Sequence, residues 1–332
     1  MSERVVIERK MLDGSFDTWA PIALFIYKRA DHTRQTIMSL AACPGFADSP
    51  LYVYADGPRR ERDWPAVEAT RAMARDLLGD RATFVERETN LGLAASIVAG
   101  VTELCDRYGK VIVVEDDLVV APTFLHFLNE GLRRFEDQPR VMQVCGHMYD
   151  VPALRESSEA LLLPITDSWG WGTWKRAWDL YDPDARGWQD LLRDRRERKR
   201  FDLDGRCTFS KLLALQMRRG LDSWAIRWYY SVFIHRGLAL FPPRTLVVNT
   251  GLDGSGSHHR LALATQQAPI DSRGAYGLPA GVRQSAAKEG VYDAIGGFMP
   301  WTTRQRILAL PGAILRRLRP SRIAWAPPRN SS

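Results

Sequence analysis

Three consecutive carboxylates, Glu115, Asp116 and Asp117, follow directly on the apolar run Val111-Ile112-Val113-Val114. Four β-branched residues bounded by Tyr108-Gly109 and Ala121-Pro122 spell a buried strand. Ionised carboxylates at the end of such a strand need a compensating cation, because desolvating them unpaired is costly. One chemistry suits them well: a hard divalent cation gripped by one or two carboxylates and by the phosphates of a ligand. The plainer reading is a solvated turn ahead of a helix opened by Pro122, and for an isolated Asp pair it would prevail. Two further polar strand ends favour the first. Lys28 and Arg29 follow the apolar residues 21–27, and Asp56 follows 51–55. Basic side chains complement phosphate charge, and an Asp accepts a hydrogen bond from a base N–H or a ribose hydroxyl. Taken alone, Asp56-Gly57-Pro58 is an ordinary turn.

Further along stands Asp167-Ser168-Trp169-Gly170-Trp171-Gly172-Thr173-Trp174. Glycines let backbone approach a ligand, and indole faces are flat apolar platforms suited to sugar rings, which makes Trp171 a candidate. Any single Trp is more often packed in a core. Residues 249–259 form a glycine-rich loop ending in His258-His259. Such loops close over nucleotide ligands, and His258 would reach a metal or a pyrophosphate. The alternative is a surface loop carrying two solvated imidazoles.

The elements that must position these groups alternate. Strands are expected at 21–27, 51–55, 82–85 and 111–114, with helices over 31–42, 64–78 and from 92 to 108 between them. That order argues for a parallel sheet with helices on both faces, and it brings the three polar strand ends to one edge. A strand at 141–145 follows, and then the pattern turns irregular. The division expected is a polar leader over 1–18, a main domain over 19–260 and a C-terminal extension over 261–332. Within the main domain, 20–120 is the nucleotide-binding half and 140–260 the sugar and acceptor half. No G-x-G-x-x-G, G-x-x-x-x-G-K-[ST] or G-x-S-x-G signature is present, so dinucleotide, P-loop and serine-hydrolase chemistry lose their usual marks.

With 332 residues, 45% hydrophobic and 26% charged, the composition is that of a globular protein long enough for a substantial core. The net charge of +7 is uneven: every charged residue after Asp293 is an Arg. Within 304–322, Arg residues interleave with Ile307, Leu308, Ile314, Leu315 and Leu318, a basic amphipathic pattern broken by Pro311. It would suit an anionic membrane surface, and equally a helix packed on the domain with its Arg face in solvent. Cys43, Cys105, Cys145 and Cys207 are dispersed, which disfavours zinc and a disulfide framework and favours a reducing cytosol. No run reaches the 18 or so apolar residues of a spanning helix. The expected location is cytoplasmic, with peripheral attachment to the inner face of the membrane if the Arg segment binds lipid.

Val114-Glu115-Asp116-Asp117-Leu118, followed by Val120-Ala121-Pro122 and Phe124, resembles the metal-binding segment of GT-A glycosyltransferases. The likeness is to the N-acetylglucosaminyltransferase that begins hybrid and complex N-glycans, and to bacterial surface-polysaccharide enzymes. It spans roughly 20–260. The resemblance implies a Rossmann-like mixed, mainly parallel sheet flanked by helices, and transfer of a sugar from a nucleotide-diphosphate donor, UDP-linked by expectation, to a glycan or lipid-linked acceptor. It implies that Asp117 ligates Mn²⁺ or Mg²⁺, that Glu115 and Asp116 hold the sugar and ribose, and that Arg29 and Asp56 contact the nucleotide. Trp171 falls in the matching Gly-Trp sugar segment. Asp222, ahead of Trp224, falls near the position of the base that takes the acceptor's proton, with inversion at the anomeric carbon. The family has two acids before that Trp where this chain has Asp222-Ser223, so Asp167 is held in reserve. Read without the resemblance, Asp222 serves equally well as a helix cap.

Two other classes stay open. A sugar-nucleotide pyrophosphorylase shares the nucleotide and metal logic, but it would want a Gly-rich basic loop after the first strand. A non-catalytic carbohydrate-binding or membrane-associated scaffold would use the Trp segment and the Arg tail. Nucleic acid is not an expected partner.

Overall fold

Strands β1 (Ile22–Ile26), β2 (Leu51–Ala55) and β4 (Lys110–Glu115) are apolar on both faces, so each can be stable only between two layers of helix. The computed structural model describes residues 19–219, 223–253, 267–272 and 276–298. It builds that sandwich. Ile22, Leu24, Ile26, Val53, Ile112 and Val114 point to one apolar cluster, and Ala23, Phe25, Tyr54, Val111 and Val113 to the other. This is the period-two alternation of a pleated strand. Helices α1 (Ala30–Ala41), α2 (Trp64–Leu78) and α4 (Phe124–Arg134) supply the first cluster. Helices α3 (Leu93–Tyr108), α5 (Lys175–Trp178) and α9 (Ala225–Ile234) supply the second. The helices between them in sequence are α6 (Trp188–Arg193), α7 (Arg195–Phe201) and α8 (Phe209–Arg219).

The main sheet has eight strands in the order β3-β2-β1-β4-β8-β6-β9-β7, where β3 is Ala82–Glu86, β6 Val141–Cys145, β7 Leu161–Leu163, β8 Trp171–Trp174 and β9 Leu238–Phe241. β1 pairs in parallel with β2 and β4, β2 with β3, and β6 with β9. β8 is antiparallel to both β4 and β6, and β7 is antiparallel to β9. The fold is therefore a mixed, mainly parallel α/β sheet flanked by helices, Rossmann-like in its first half.

The irregular second half of the sequence continues the same sheet. The acidic strand runs one residue past its apolar run. It stops at Glu115, Asp116 and Asp117 turn, and β5 (Leu118–Val120) leaves to pair with β10 (Val247–Asn249) in a separate ribbon. One compact unit extends to Phe298, past the boundary read at 260. The Asp271 N–H donates to the Thr245 carbonyl at 2.9 Å, the Ser285 N–H to Leu162 at 2.8 Å, and α10 (Lys288–Phe298) closes the unit. The polar leader and the basic amphipathic segment lie outside the described residues. Among the described residues no helix is long and apolar enough to cross a membrane.

Candidate active site at the carboxyl edge of the sheet

The strand order 3-2-1-4 reverses direction between β1 and β4. The helices leaving β1 and β2 cover one face, and α3, which leads into β4, covers the other. Adjacent strands whose connections depart to opposite sides leave a crevice outside their carboxyl ends, the usual ligand position in open α/β sheets. Arg29 follows β1 and Asp116-Asp117 follow β4, so the predicted groups meet at that crevice.

They meet in direct contact. Arg29 Nη2 donates to Asp116 Oδ1 and to Asp117 Oδ2, the latter at 2.9 Å. Burial alone would weaken the guanidinium's charge, but Asp116 and Asp117 more than offset it, and the Arg29 pKa is raised. Asp116 is 5% exposed, and burial raises its carboxyl despite Arg29. Glu115 is enclosed by protein but keeps a window to solvent. Burial, then Asp117 and Asp116, push its carboxyl up to about 8.

The backbone locks this cluster. Thr36 Oγ1 donates to the Asp116 carbonyl at 3.0 Å, and Thr250 donates both N–H (2.7 Å) and Oγ1 (3.0 Å) to the Asp117 carbonyl. Thr250 opens the short helical turn Thr250–Asp253 after β10. The β5–β10 ribbon thus brings the start of the glycine-rich loop onto the acidic turn. His32 Nε2, in the first turn of α1, lies 3.4 Å from the Thr250 carbonyl.

Other predicted residues sit differently. Lys28 is taken up by Asp63 at 2.7 Å. The Asp56 carboxylate accepts from the N–H groups of Gly57 (3.0 Å), Leu91 (2.9 Å) and Gly92 (3.0 Å) and from Asn90 Nδ2 (2.9 Å). Four donors fill the acceptor sites of one carboxylate. As folded, Asp56 pins the loop that starts α3 and has no lone pair left for a base or ribose. Trp171 is a correction. It is fully buried, stacked on Trp224 (centroids 5.0 Å apart) and packed beside Trp178 and Trp228 in the second apolar cluster. It offers no face to a sugar ring. Asp222 and His258 lie outside the described residues.

Asp167 is turned inward to a partner that the sequence reading missed. His147, 3% exposed, places Nδ1 3.1 Å from Asp167 Oδ2. The Trp169 N–H donates to Asp167 Oδ1 at 2.9 Å and the Tyr149 hydroxyl to Oδ2 at 3.3 Å. Burial opposes the charge on Asp167, but His147 and these donors win and hold its carboxyl below the usual range. The signal that could have found His147 is the rule already used for the other strands, since it follows β6 directly through Gly146.

Among the described residues no group of three or more His, Cys, Asp or Glu side chains is arranged to hold a metal. An ion shared with a diphosphate needs fewer, one or two carboxylates from the protein and the rest from phosphate and water. Two adjacent carboxylates already drawn to one cationic side chain are a donor set of that kind, and Asp117, the less enclosed of the two, fits the role.

No family model matches the sequence, and no curated protein matches it. Solved structures are similar in fold at low scores. A mannosyltransferase from Pyrobaculum calidifontis in complex with GDP-Man and Mn²⁺ has 14% identity and a TM-score of 0.33, covering 70% of this chain and 76% of its own. Glucosyl-3-phosphoglycerate synthase from Mycobacterium tuberculosis, with Mn²⁺ and UDP, has 14% identity and a TM-score of 0.32, covering 50% and 58%. A UDP-glucose pyrophosphorylase has 11% identity and a TM-score of 0.28, covering 49% and 79%. Likeness this distant carries no argument about activity, and the fold class rests on the sheet described above.

Proposed function

We propose that this chain is a metal-dependent inverting glycosyltransferase that moves a sugar from a nucleotide-diphosphate donor, UDP-linked by expectation, to a hydroxyl of a glycan or lipid-linked acceptor. The observation that carries the reading is the Arg29–Asp116–Asp117 cluster at the β1/β4 reversal. A cation and two carboxylates at that crevice match the charges of a diphosphate with its divalent ion.

In this reading Asp117 would hold Mn²⁺ or Mg²⁺, which when bound would supply electrostatic stabilisation of the departing diphosphate. Arg29, bonded to both carboxylates, would supply positive charge toward the phosphates. The N-terminus of α1, which begins next to Arg29, adds partial positive charge on the same side. Glu115 and Asp116 face the sugar and ribose. Asp56 acts on the nucleotide at one remove, by fixing the loop Asn90-Leu91-Gly92. The acceptor hydroxyl must lose a proton as it attacks. Asp222 is the candidate that the sequence offers for that role, His258 would reach the pyrophosphate from its loop, and the described residues add His147 for the proton.

The test is donor consumption with stereochemistry. The protein is incubated with Mn²⁺ and UDP-, GDP- and dTDP-linked hexoses and N-acetylhexosamines, together with a panel of glycan acceptors. Nuclear magnetic resonance then reads the new anomeric bond. A β-linked product from an α-linked donor supports the reading, and a retained configuration contradicts inversion. Formation of sugar 1-phosphate and nucleoside triphosphate from added pyrophosphate would instead make the protein a pyrophosphorylase.

A further inference from the structure

Strands β4 and β6 both run antiparallel to β8, so His147, which follows β6, leaves the same edge of the sheet as the acidic turn that follows β4. Val113 of β4 and Cys145 of β6 both pair with Trp171 of β8, from opposite sides. Glu115 and His147 each lie two residues beyond those pairs, and the Gly146 N–H to Gly170 carbonyl bond at 2.7 Å carries the β6–β8 contact one residue further, to Gly170. Two strand spacings put the backbones of Val113 and Cys145 about 10 Å apart. Gly170 makes the arrangement possible. Its φ of +64° turns the chain between two tryptophans, and a β-carbon there would press on Phe124 at 2.9 Å. Trp171 enters the core on one side, while half-buried Trp169 packs toward the other and tilts onto the His147 ring at 4.4 Å.

We propose that His147, oriented by Asp167, is the base that takes the proton from the acceptor hydroxyl, a role that rests on the glycosyltransferase reading above. Asp167 is ill placed to act itself. It is buried, and both of its oxygens are engaged by Trp169, His147 and Tyr149. An ionised carboxylate only accepts, so Nδ1 of His147 must carry a proton, and in the neutral ring that leaves the lone pair on Nε2. Trp169 at 4.4 Å and Tyr149 at 4.8 Å fix the ring from its sides. Nε2 makes no hydrogen bond among the described residues, yet it is not among the sealed polar atoms that lack a partner.

The step balances with the donor and acceptor alone. The acceptor oxygen forms a bond to the anomeric carbon, and the bond from that carbon to the phosphate oxygen breaks. The electron pair leaves with the nucleoside diphosphate, the hydroxyl proton passes to Nε2, and Asp167 stabilises the imidazolium. The titratable groups facing the pair are Tyr149, Cys145 and, beyond Tyr149, Cys207. Burial pushes the Tyr149 phenol and the Cys145 thiol well above their usual ranges. Glu115 at the end of β4, pushed up to about 8, is the neighbour to control for.

The experiment uses the whole chain with Mn²⁺ and the same nucleotide-sugar panel, water serving as acceptor, and measures released nucleoside diphosphate from pH 5 to 9. Binding of UDP, GDP and dTDP is measured in parallel, with melting temperature and circular dichroism as checks of folding. His147→Asn keeps a donor for Asp167 and removes Nε2. It is expected to bind nucleotide within about twofold of wild type, to lose turnover by about a hundredfold or more, and to lose the acid limb of the wild-type pH profile. Asp167→Asn should slow turnover and move that limb, and Glu115→Gln should leave the limb in place. Wild-type turnover without such a limb overturns the proposal with no variant needed. So does His147→Asn turning over at the wild-type rate, and loss of activity in Asp222→Asn alone would then give the role to Asp222. A folded wild type that binds no nucleotide and releases none contradicts the transferase reading itself, and the assignment of His147 falls with it.

Discussion

Gly251 presses its backbone against the Asp117 carboxylate. A β-carbon at that position would fall well inside van der Waals contact of Asp117 Oδ2 and 2.8 Å from Arg29 Nη1. Both are ends of mobile side chains, so the added methyl would displace the charges rather than break the fold. Gly251→Ala is expected to weaken Mn²⁺-dependent nucleotide binding by about tenfold or more while costing under about 1 kcal/mol of stability. Calorimetric titration beside a denaturant melt checks it, and wild-type affinity in the variant would contradict the placement.

Arg29 neutralises two carboxylates from a position where its side chain is 23% exposed and that of Asp116 is 7% exposed. Arg29→Met leaves that charge uncompensated and should cost about 3 kcal/mol of unfolding free energy. Because a divalent cation answers the same charge, millimolar Mn²⁺ should restore part of the loss, more than it adds to wild type. Equal Mn²⁺ effects on the two proteins would argue against a shared cation position.

Asp56 is expected to matter for stability before chemistry. Asn at this position would oppose an NH₂ to backbone N–H donors and should cost about 2–3 kcal/mol. Limited proteolysis should become faster in the segment 88–92. A variant as stable as wild type that nevertheless loses nucleotide affinity would restore Asp56 to direct contact with the ligand.

Asp167 sets an acid limb. Its folded-state carboxyl lies below the ordinary range, so in acid the unfolded chain binds the additional proton. The stabilisation is present in full above the unfolded value near pH 4 and is lost as pH falls through the folded value. Unfolding free energies of wild type between pH 3 and 6 should therefore fall more steeply toward acid than those of Asp167→Asn.

How much was legible follows from which contacts are local. β1, β2 and β4 are buried on both faces, and their unbroken apolar runs announce them. That Arg29, Asp116 and Asp117 come together is legible because a parallel sheet gathers strand ends, and that needs only the strands. β8 escaped because Trp-Gly-Thr-Trp has no strand-like alternation. Its identity as a strand comes from lying antiparallel between β4 and β6, with Gly172 admitting Leu132 and the Val111 carbonyl at 3.2 and 3.1 Å from where a β-carbon would stand. Trp171 was read as a platform because sequence does not disclose which side of Gly170 faces solvent. The pairing of His147 with Asp167 is long-range, across a pair of strands whose order the sequence leaves open.

The central claim is that Asp117 and Arg29 build a site for a nucleotide diphosphate and its ion. It is tested most directly by calorimetric titration of UDP, GDP and dTDP, each with Mn²⁺ and with EDTA, into wild type and Asp117→Asn. The expected result is Mn²⁺-dependent binding of one nucleotide, UDP by expectation, lost in the variant. A folded protein that binds none of the three, or binds equally well in EDTA and with Asn at position 117, would contradict it.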